Sequence, residues 1–253
     1  MNLELSILLP AFVAGLLVLS THVPLGREVL SRGIIFIDLA IAQIAGLGVI
    51  AASSFGWDDH GIEVQIAAAS AALIGALMLN FIEKKWPDLQ EAFIGVWFIL
   101  AATAGILLLA NNPNGSEHLK ELLVGQILWV EYSQLIPVAI LYAFILVAWF
   151  GFREKLGAIG FYVIFALAIT ASVQLVGVYL VFASLIIPAI GTIRMKTKHL
   201  LAISYAIGVS GFAAGLILSS LLDLPSGALI VWTLAIISTS LFLWVDRSHK
   251  IKH

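Results

Sequence analysis

Residues 159–193 read IGFYVIFALAITASVQLVGVYLVFASLIIPAIGTI and carry no charged side chain. As a single α-helix these 35 residues would be about 52 Å long, whereas the hydrocarbon core of a bilayer is about 30 Å thick. Basic residues precede the stretch at Arg153 and Lys155 and follow it at Arg194 and Lys198. Because Lys and Arg in short loops mark the cytoplasmic side of a membrane, we expect both ends on one side and an even number of crossings.

We predict two short helices within this stretch, separated by a bend near Val176 and Gly177, because glycine adopts unusual backbone angles at little cost. Pro188 is expected to remove a backbone hydrogen bond inside the second helix. In a bilayer, groups freed in this way need protein or water around them, so the break should lie inside a helical bundle. Interrupted helices are typical of transport proteins, although proline and glycine also kink membrane helices without such a role.

The chain as a whole has the composition of an integral membrane protein. Of its 253 residues, 61% are hydrophobic and 11% are charged, compared with about a quarter charged in soluble domains. Further apolar stretches, each long enough for a membrane helix, are residues 5–23, 33–55, 62–82, 92–110, 135–152, 200–222 and 228–245. The sequence therefore predicts an all-α, polytopic bundle of about eight or nine membrane segments, forming one transmembrane domain over residues 1–253.

The positions of the basic residues predict the orientation of this bundle. With the N-terminus outside and the C-terminus in the cytoplasm, Lys120 is the one residue among the 13 Lys and Arg that falls in an outer loop. This distribution follows the rule that basic residues are enriched in cytoplasmic loops.

Asp38 is an acidic residue within a membrane segment. It shares a helix face with small residues that suit close helix packing: Ala42, Ala45 and Gly46. Asp38 is therefore expected to point into the bundle, where acidic residues are costly and commonly functional. It is a candidate for attracting a cation, or for pairing with Arg27 or Arg32.

The other candidates for a transport pathway are Gln43, about one turn deeper than Asp38, and Gln174, Ser184 and Pro188 in the long stretch. Thr170 is four residues from Gln174 and shares its helix face. Such side chains line polar paths in some membrane proteins and simply join neighbouring helices in others, and both interpretations stay open.

Two outer loops combine acidic residues with histidine: Asp58, Asp59, His60 and Glu63 in the first, and Glu117, His118 and Glu121 in the second. Oxygen and imidazole ligands suit zinc or manganese, but neither loop has the spacing of a closed metal site. His60 and Glu63 are weak metal candidates, as are His22 and Asp38 in the membrane segments.

Signature motifs of several enzyme classes do not occur in the sequence. There is no G-x-x-x-x-G-K-[ST] phosphate loop, no H-E-x-x-H and no G-x-S-x-G, which argues against an ATPase or a hydrolase of these types. We expect a chain that is not an enzyme and has no covalently bound cofactor.

Four segments resemble, in order, the permease subunits of bacterial zinc/manganese ABC importers. VGVYLVFASLIIPAIG (176–191) is similar to the family segment V-G-x-L-L-V-x-A-L-L-I-I-P-A-A. The other three are EAFIGVWFILAATAGILLLA (91–110), EHLKELLVGQILWV (117–130) and LILSSLLDLPSGALIV (216–231).

The resemblance implies a permease of the type II ABC importer class in the bacterial cytoplasmic membrane. Such a chain forms the translocation pathway, homodimerises within the lipid bilayer and works with a separate cytoplasmic ATP-binding subunit. It accepts its substrate, a divalent metal cation of the zinc or manganese class, from an extracytoplasmic metal-binding protein. Nothing in the sequence indicates a nucleic-acid partner.

Two segments differ from the family pattern. Where many members have G-D-x-x-x-H-A, this chain reads IDLAIAQIAGLG (37–48), so Gln43 falls at the histidine and Asp38 falls one residue from the aspartate. The loop 151–160 is short where family members carry a longer acidic segment that docks on the ATPase. An ATP-independent cation channel or carrier derived from the same fold therefore stays open as an alternative, as does a structural or regulatory subunit.

Overall fold

The computed structural model describes residues 5–57, 61–110, 112, 115–195 and 197–250. Every regular element within these ranges is helical: α1 Leu5–Arg32, α2 Ile37–Ser54, α3 Ile62–Lys85, α4 Gln90–Leu109, α5 Gly115–Val124, α6 Tyr132–Val176, α7 Val178–Thr192, α8 Leu200–Leu222 and α9 Ser226–Lys250, with 3₁₀ helices at Pro87–Leu89 and Ile127–Trp129. By length and hydropathy, seven helices of the described residues are candidate membrane spans, and α7 is a shorter apolar helix.

The helix α6 is long enough to cross the membrane twice. Its 45 residues correspond to about 68 Å. The backbone departs from helical geometry at Phe152 (φ −128°, ψ 15°) and at Gly157 (φ 58°, ψ −164°), so α6 consists of two helical halves joined near its charged residues. With both halves and α7 counted, the described residues form nine apolar segments, in agreement with the predicted eight or nine.

The predicted bend in the long apolar stretch is at Gly177, between the end of α6 and the start of α7. Gly177 has φ 80° and ψ 162°, a backbone region that essentially only glycine occupies. Gly125, with φ 71°, lies directly against it, and a Cβ added to Gly177 would be 2.6 Å from the Gly125 Cα. Two segments distant in sequence therefore meet backbone to backbone, which leaves no room for a side chain on either residue.

Pro188 lies inside α7, which continues through it to Thr192. Because proline has no N–H, the carbonyl of Ser184 loses its usual helical partner, as predicted for this segment. The helix nevertheless persists, since it is buried along most of its length and held by packing on several sides.

The first two membrane helices have boundaries that differ from the apolar stretches in the sequence. α1 continues beyond residue 23 and through Pro24 to Arg32. Gly26 permits this extension, because any Cβ at that position would overlap the carbonyl oxygen of Leu185 in α7. Gly33, with φ 73°, then ends α1 in a left-handed conformation, and α2 begins only at Ile37.

By spatial contacts the chain divides into two compact units. Unit 1 comprises Met1–Gly33, Val124–Tyr142 and Leu175–His253, and unit 2 comprises Ile34–Leu123 and Ala143–Gln174. Each unit draws on separate parts of the sequence, so neither corresponds to a contiguous segment. The single transmembrane domain over 1–253 stays a prediction.

Small residues determine how closely the helices pack in both units. In unit 1, α7 packs against α1, α8 and α9, and Gly208 of α8 lies against Leu19 of α1. In unit 2, α2 packs against α3 and α4, and Gly48 of α2 lies against Ala71 of α3. Such close backbone approach is the usual way in which membrane helices associate.

We expect Gly177→Ala to destabilise the protein much more than Gly157→Ala. Both glycines have positive φ and ψ near 180°, so an alanine at either position costs about 1–3 kcal/mol of backbone strain. A Cβ at Gly157 meets nothing within 4 Å, whereas a Cβ at Gly177 overlaps Gly125. Thermal unfolding of the two variants in detergent measures the difference, and equal losses of Tm would contradict the close contact.

Candidate functional site

Asp38 lies in the first turn of α2 and is 1% exposed. Its carboxylate is directed toward the backbone amides of Asp38 and Leu39, which are among the free N–H groups at a helix N-terminus. Neither carboxylate oxygen, however, makes a hydrogen bond with any of the described residues. A buried carboxylate without hydrogen-bond partners is costly in an apolar environment.

The arginines that the sequence offered as partners for Asp38 make other bonds. Arg32 pairs with Glu28, one helical turn earlier in α1, at 2.9 Å. Arg27 donates a hydrogen bond of 3.0 Å to the hydroxyl of Thr192. Among the described residues, Asp38 therefore makes no ion pair with Arg27 or Arg32. Its attraction for a cation stays a prediction.

Asn80 of α3 lies at about the same depth in unit 2 as Asp38. α2 and α3 pack closely, with Gly48 near Ala67 and with Gly75 near Ile44, so the two helices run antiparallel. The last turns of α3 therefore lie beside the first turn of α2. Asn80 is 6% exposed and its Oδ1 also lacks a hydrogen-bond partner among the described residues.

A third buried polar contact lies in unit 2 where α4 begins. Gln90, the first residue of α4, donates to the hydroxyl of Tyr162 in the second half of α6 at 2.5 Å. Both side chains are buried. In contrast to Asp38 and Asn80, Gln90 and Tyr162 hydrogen-bond to each other, and their bond joins α4 to α6.

The small-residue face of α2 is buried as predicted, since Ala42, Ala45 and Gly46 are all inaccessible. Gln43 is half-buried, and five residues along a helix place it about 140° around the axis from Asp38. The two side chains therefore do not share a face, and a common role for them stays a prediction.

The polar candidates of the long stretch have different surroundings. Thr170 is buried and donates to the Ala166 carbonyl of its own helix at 2.8 Å, whereas Gln174 is exposed. In unit 1, Ser184 is fully buried and donates to the Leu180 carbonyl at 2.6 Å. These two hydroxyls bond within their own helices, so their hydrogen bonds by themselves do not mark a pathway.

His22 is fully buried in α1 of unit 1. Its Nδ1 lies 2.9 Å from the carbonyl of Val18 and 3.1 Å from the hydroxyl of Thr21. Because a carbonyl can only accept, Nδ1 carries the proton in this arrangement and Nε2 is the ring nitrogen that could bind a metal, so a metal role for His22 stays a prediction.

The outer-loop metal candidates do not form a cluster in the part of the chain that the structure describes. Glu63 is exposed in the first turn of α3, and His60, with Asp58 and Asp59, lies outside the described residues. Among the described residues there is no group of three or more His, Cys, Asp or Glu side chains positioned to hold a metal ion.

Unit 1 contains a polar network that the sequence analysis missed. Arg27 of α1 contacts Thr192 of α7, and the Thr192 hydroxyl lies 2.9 Å from that of Ser204 in α8. Arg27 and Thr192 are 165 residues apart, so no local pattern could connect them. Asn80, by contrast, could have been selected from the sequence, because it is a polar amide side chain within the apolar stretch 62–82.

Comparison with known proteins gives matches along nearly the whole chain. The ABC 3 transport family matches residues 4–162 and 151–245, and the two matched segments meet at the turn between the halves of α6. An uncharacterized membrane protein in the ycf23-apcF intergenic region of Cyanophora paradoxa is 27% identical over 259 residues, with 94% of this chain and 85% of the relative covered. The manganese transport system membrane protein MntC of Halalkalibacterium halodurans is 26% identical over 251 residues, with coverages of 90% and 84%.

The fold is also similar to a solved structure, PsaBC from Streptococcus pneumoniae in complex with Fab. The TM-score is 0.76 at 21% sequence identity, and the alignment covers 99% of this chain and 96% of the other. The fold therefore agrees from one end of the chain to the other. Since the family match also extends over nearly all residues, this chain belongs to the ABC 3 transport family.

Proposed function

We propose that this chain is the membrane-spanning permease subunit of an ABC-type importer for a divalent transition-metal cation of the zinc or manganese class. The observation that carries the proposal is the family match over residues 4–162 and 151–245. The relative named for manganese transport, which aligns with 90% of this chain, supports manganese as the first cation to test.

Asp38 is the residue we propose for cation passage through unit 2. Its two unpartnered oxygens and the Oδ1 of Asn80 are hard donors of the kind that divalent cations accept. Since Asp38 is the one acidic group of this pair and the described residues contain no cluster of three or more His, Cys, Asp or Glu side chains, the cation would be held weakly. Weak, incomplete coordination suits a site that a substrate passes rather than one that retains it.

The proposed partners follow from the family and from the absence of a phosphate-loop motif in the sequence. ATP hydrolysis belongs to a separate cytoplasmic ATP-binding subunit, and an extracytoplasmic metal-binding protein delivers the cation. A homodimer in the bacterial cytoplasmic membrane is the proposed assembly. The distribution of basic residues supports a cytoplasmic C-terminus and an N-terminus outside.

One observation favours a second candidate, an ATP-independent cation channel or carrier. Between the two halves of α6 there is only a short exposed turn with Arg153, Glu154 and Lys155, and no separate helix interrupts residues 132–176. The family match is divided at the same place. A surface for docking an ATPase would therefore have to be built from other cytoplasmic turns.

Purification of the tagged chain from its native membranes in mild detergent distinguishes the two candidates. We expect an ATP-binding subunit to co-purify in a fixed ratio, with ATP hydrolysis that one of manganese, zinc or iron stimulates. The importer proposal would be rejected if the chain purified alone and hydrolysed no ATP. Manganese entry into vesicles that contain only this chain would then support the ATP-independent channel or carrier.

We expect Asp38→Asn to reduce manganese uptake at least about tenfold, equivalent to about 1.4 kcal/mol, without loss of stability. Asparagine keeps the shape of the side chain and removes the charge that attracts the cation. Removing an unpaired buried charge should leave Tm unchanged or raise it by about 2–4 °C. Radiolabelled manganese uptake in cells and thermal unfolding of the purified variant give the two values.

The matched control for this variant is Asp223→Asn. Asp223 is exposed and has φ 55°, a left-handed conformation that asparagine accepts, so uptake should not change. If the Asp38→Asn variant took up manganese at the wild-type rate, Asp38 would not be part of the cation pathway. A variant with low uptake and a lowered Tm would instead indicate a structural role for this carboxylate.

A further inference from the structure

The turn between α3 and α4 combines lysines with aromatic rings. We call Phe81, Lys84, Lys85, Trp86 and Phe93 the basic aromatic turn. The ammonium of Lys85 lies 4.5 Å from the ring centre of Trp86 and 5.6 Å from that of Phe81. Trp86 stacks on Phe93 with centres 5.8 Å apart and meets Phe81 edge-on at 6.4 Å. These contacts place the Lys85 ammonium over two rings of a three-ring cluster, in the geometry of cation–π interactions.

The lengths of the flanking helices place this turn at the membrane surface. The apolar part of α3, residues 62–82, is about 31 Å long, which is enough to cross the hydrocarbon core of about 30 Å. α4 starts at Gln90 and has 20 residues, which gives a similar length. Lys84, Lys85 and Trp86 therefore lie just beyond the hydrocarbon, at the level of the lipid headgroups.

The basic aromatic turn is accessible at that level. Phe81 is 55% exposed and Trp86 is 41% exposed, and both lysines are exposed. Trp and Tyr are enriched where protein meets lipid headgroups, because an amphipathic ring suits that boundary. Lysines close to the membrane surface attract anionic lipids.

Acidic residues near the turn affect its charge to different degrees. Glu83 is half-buried, and the carboxylate of Glu91 accepts a hydrogen bond from the Phe36 amide. Asp88 is exposed and partly offsets the two lysines. The turn thus presents two ammonium groups beside aromatic rings, and the exposed carboxylates of Asp88 and Glu91 weaken their attraction for anions.

We propose that the basic aromatic turn binds the phosphate headgroup of an anionic phospholipid, with Lys84 and Lys85 contacting the phosphate and the rings of Phe81 and Trp86 packing against the glycerol and upper acyl region. The inference goes beyond the transport function and does not depend on which cation is carried. It assigns a lipid ligand to a part of the chain that has no role in the proposed cation pathway.

The test uses the purified full-length protein in a neutral detergent, with phosphatidylglycerol, phosphatidylcholine or inorganic phosphate as the added ligand. Native mass spectrometry counts the lipids retained per chain. We expect the wild type to retain phosphatidylglycerol and not phosphatidylcholine, and inorganic phosphate in excess not to displace the lipid. Displacement of the lipid by inorganic phosphate would mean that the turn binds the free anion, which would overturn the proposal.

Variants locate the binding within the protein. Lys84→Gln/Lys85→Gln should weaken phosphatidylglycerol binding about fivefold per lysine, whereas Asp88→Asn should strengthen it. Lys155→Gln, a change to another exposed lysine beside a different turn, should have no effect. The proposal is overturned if the double variant binds phosphatidylglycerol like the wild type. It is equally overturned if the Lys84→Gln/Lys85→Gln variant retains phosphatidylglycerol but no longer co-purifies with a protein subunit, because the turn would then be a binding surface for that subunit.

Discussion

The arrangement of unit 1 depends on the backbone contact between Gly125 and Gly177. Each would overlap the other's backbone if it carried a Cβ, so the chain turns at this one point and α7 begins. α7 then packs against α1, α8 and α9, and most of its residues are buried. Its polar groups must find protein partners, and they do so through Ser184 in its own helix, through Ser238 on the Ile187 carbonyl and through Arg27 on Thr192.

Unit 2 differs from unit 1 in two of its buried polar side chains. Asp38 and Asn80 are buried as deeply as the hydroxyls of unit 1, yet their oxygens lack partners among the described residues. Leaving a carboxylate unpaired in a membrane segment costs about 3 kcal/mol even by insertion scales, so we expect this carboxylate to serve a function. Passage of a cation is the function we propose, and it agrees with membership of a transport family.

Much of the fold could be predicted from properties of short segments of the sequence. The hydrophobic stretches and the break at Gly177 follow from chain length and glycine geometry, which are local properties, whereas the even number of crossings in residues 159–193 stays a prediction. The extension of α1 to Arg32 was not predictable, because it depends on Gly26 packing against a helix 159 residues later at Leu185. For the same reason, the spacing of Thr170 and Gln174 predicts a shared helix face, whereas the burial of each side chain depends on neighbours that spacing alone does not reveal.

The two-helix return of residues 159–193, with both ends on the same side of the membrane, can be tested directly by labelling. The chain has no cysteine, so single cysteines can be introduced at Lys155, Lys198 and Leu224, all exposed positions, and labelled in spheroplasts with a membrane-impermeant maleimide. We expect Leu224→Cys to react in intact spheroplasts, and Lys155→Cys and Lys198→Cys to react only after the membrane is opened. Reaction of Lys155→Cys and Lys198→Cys from opposite sides would contradict the two-helix return.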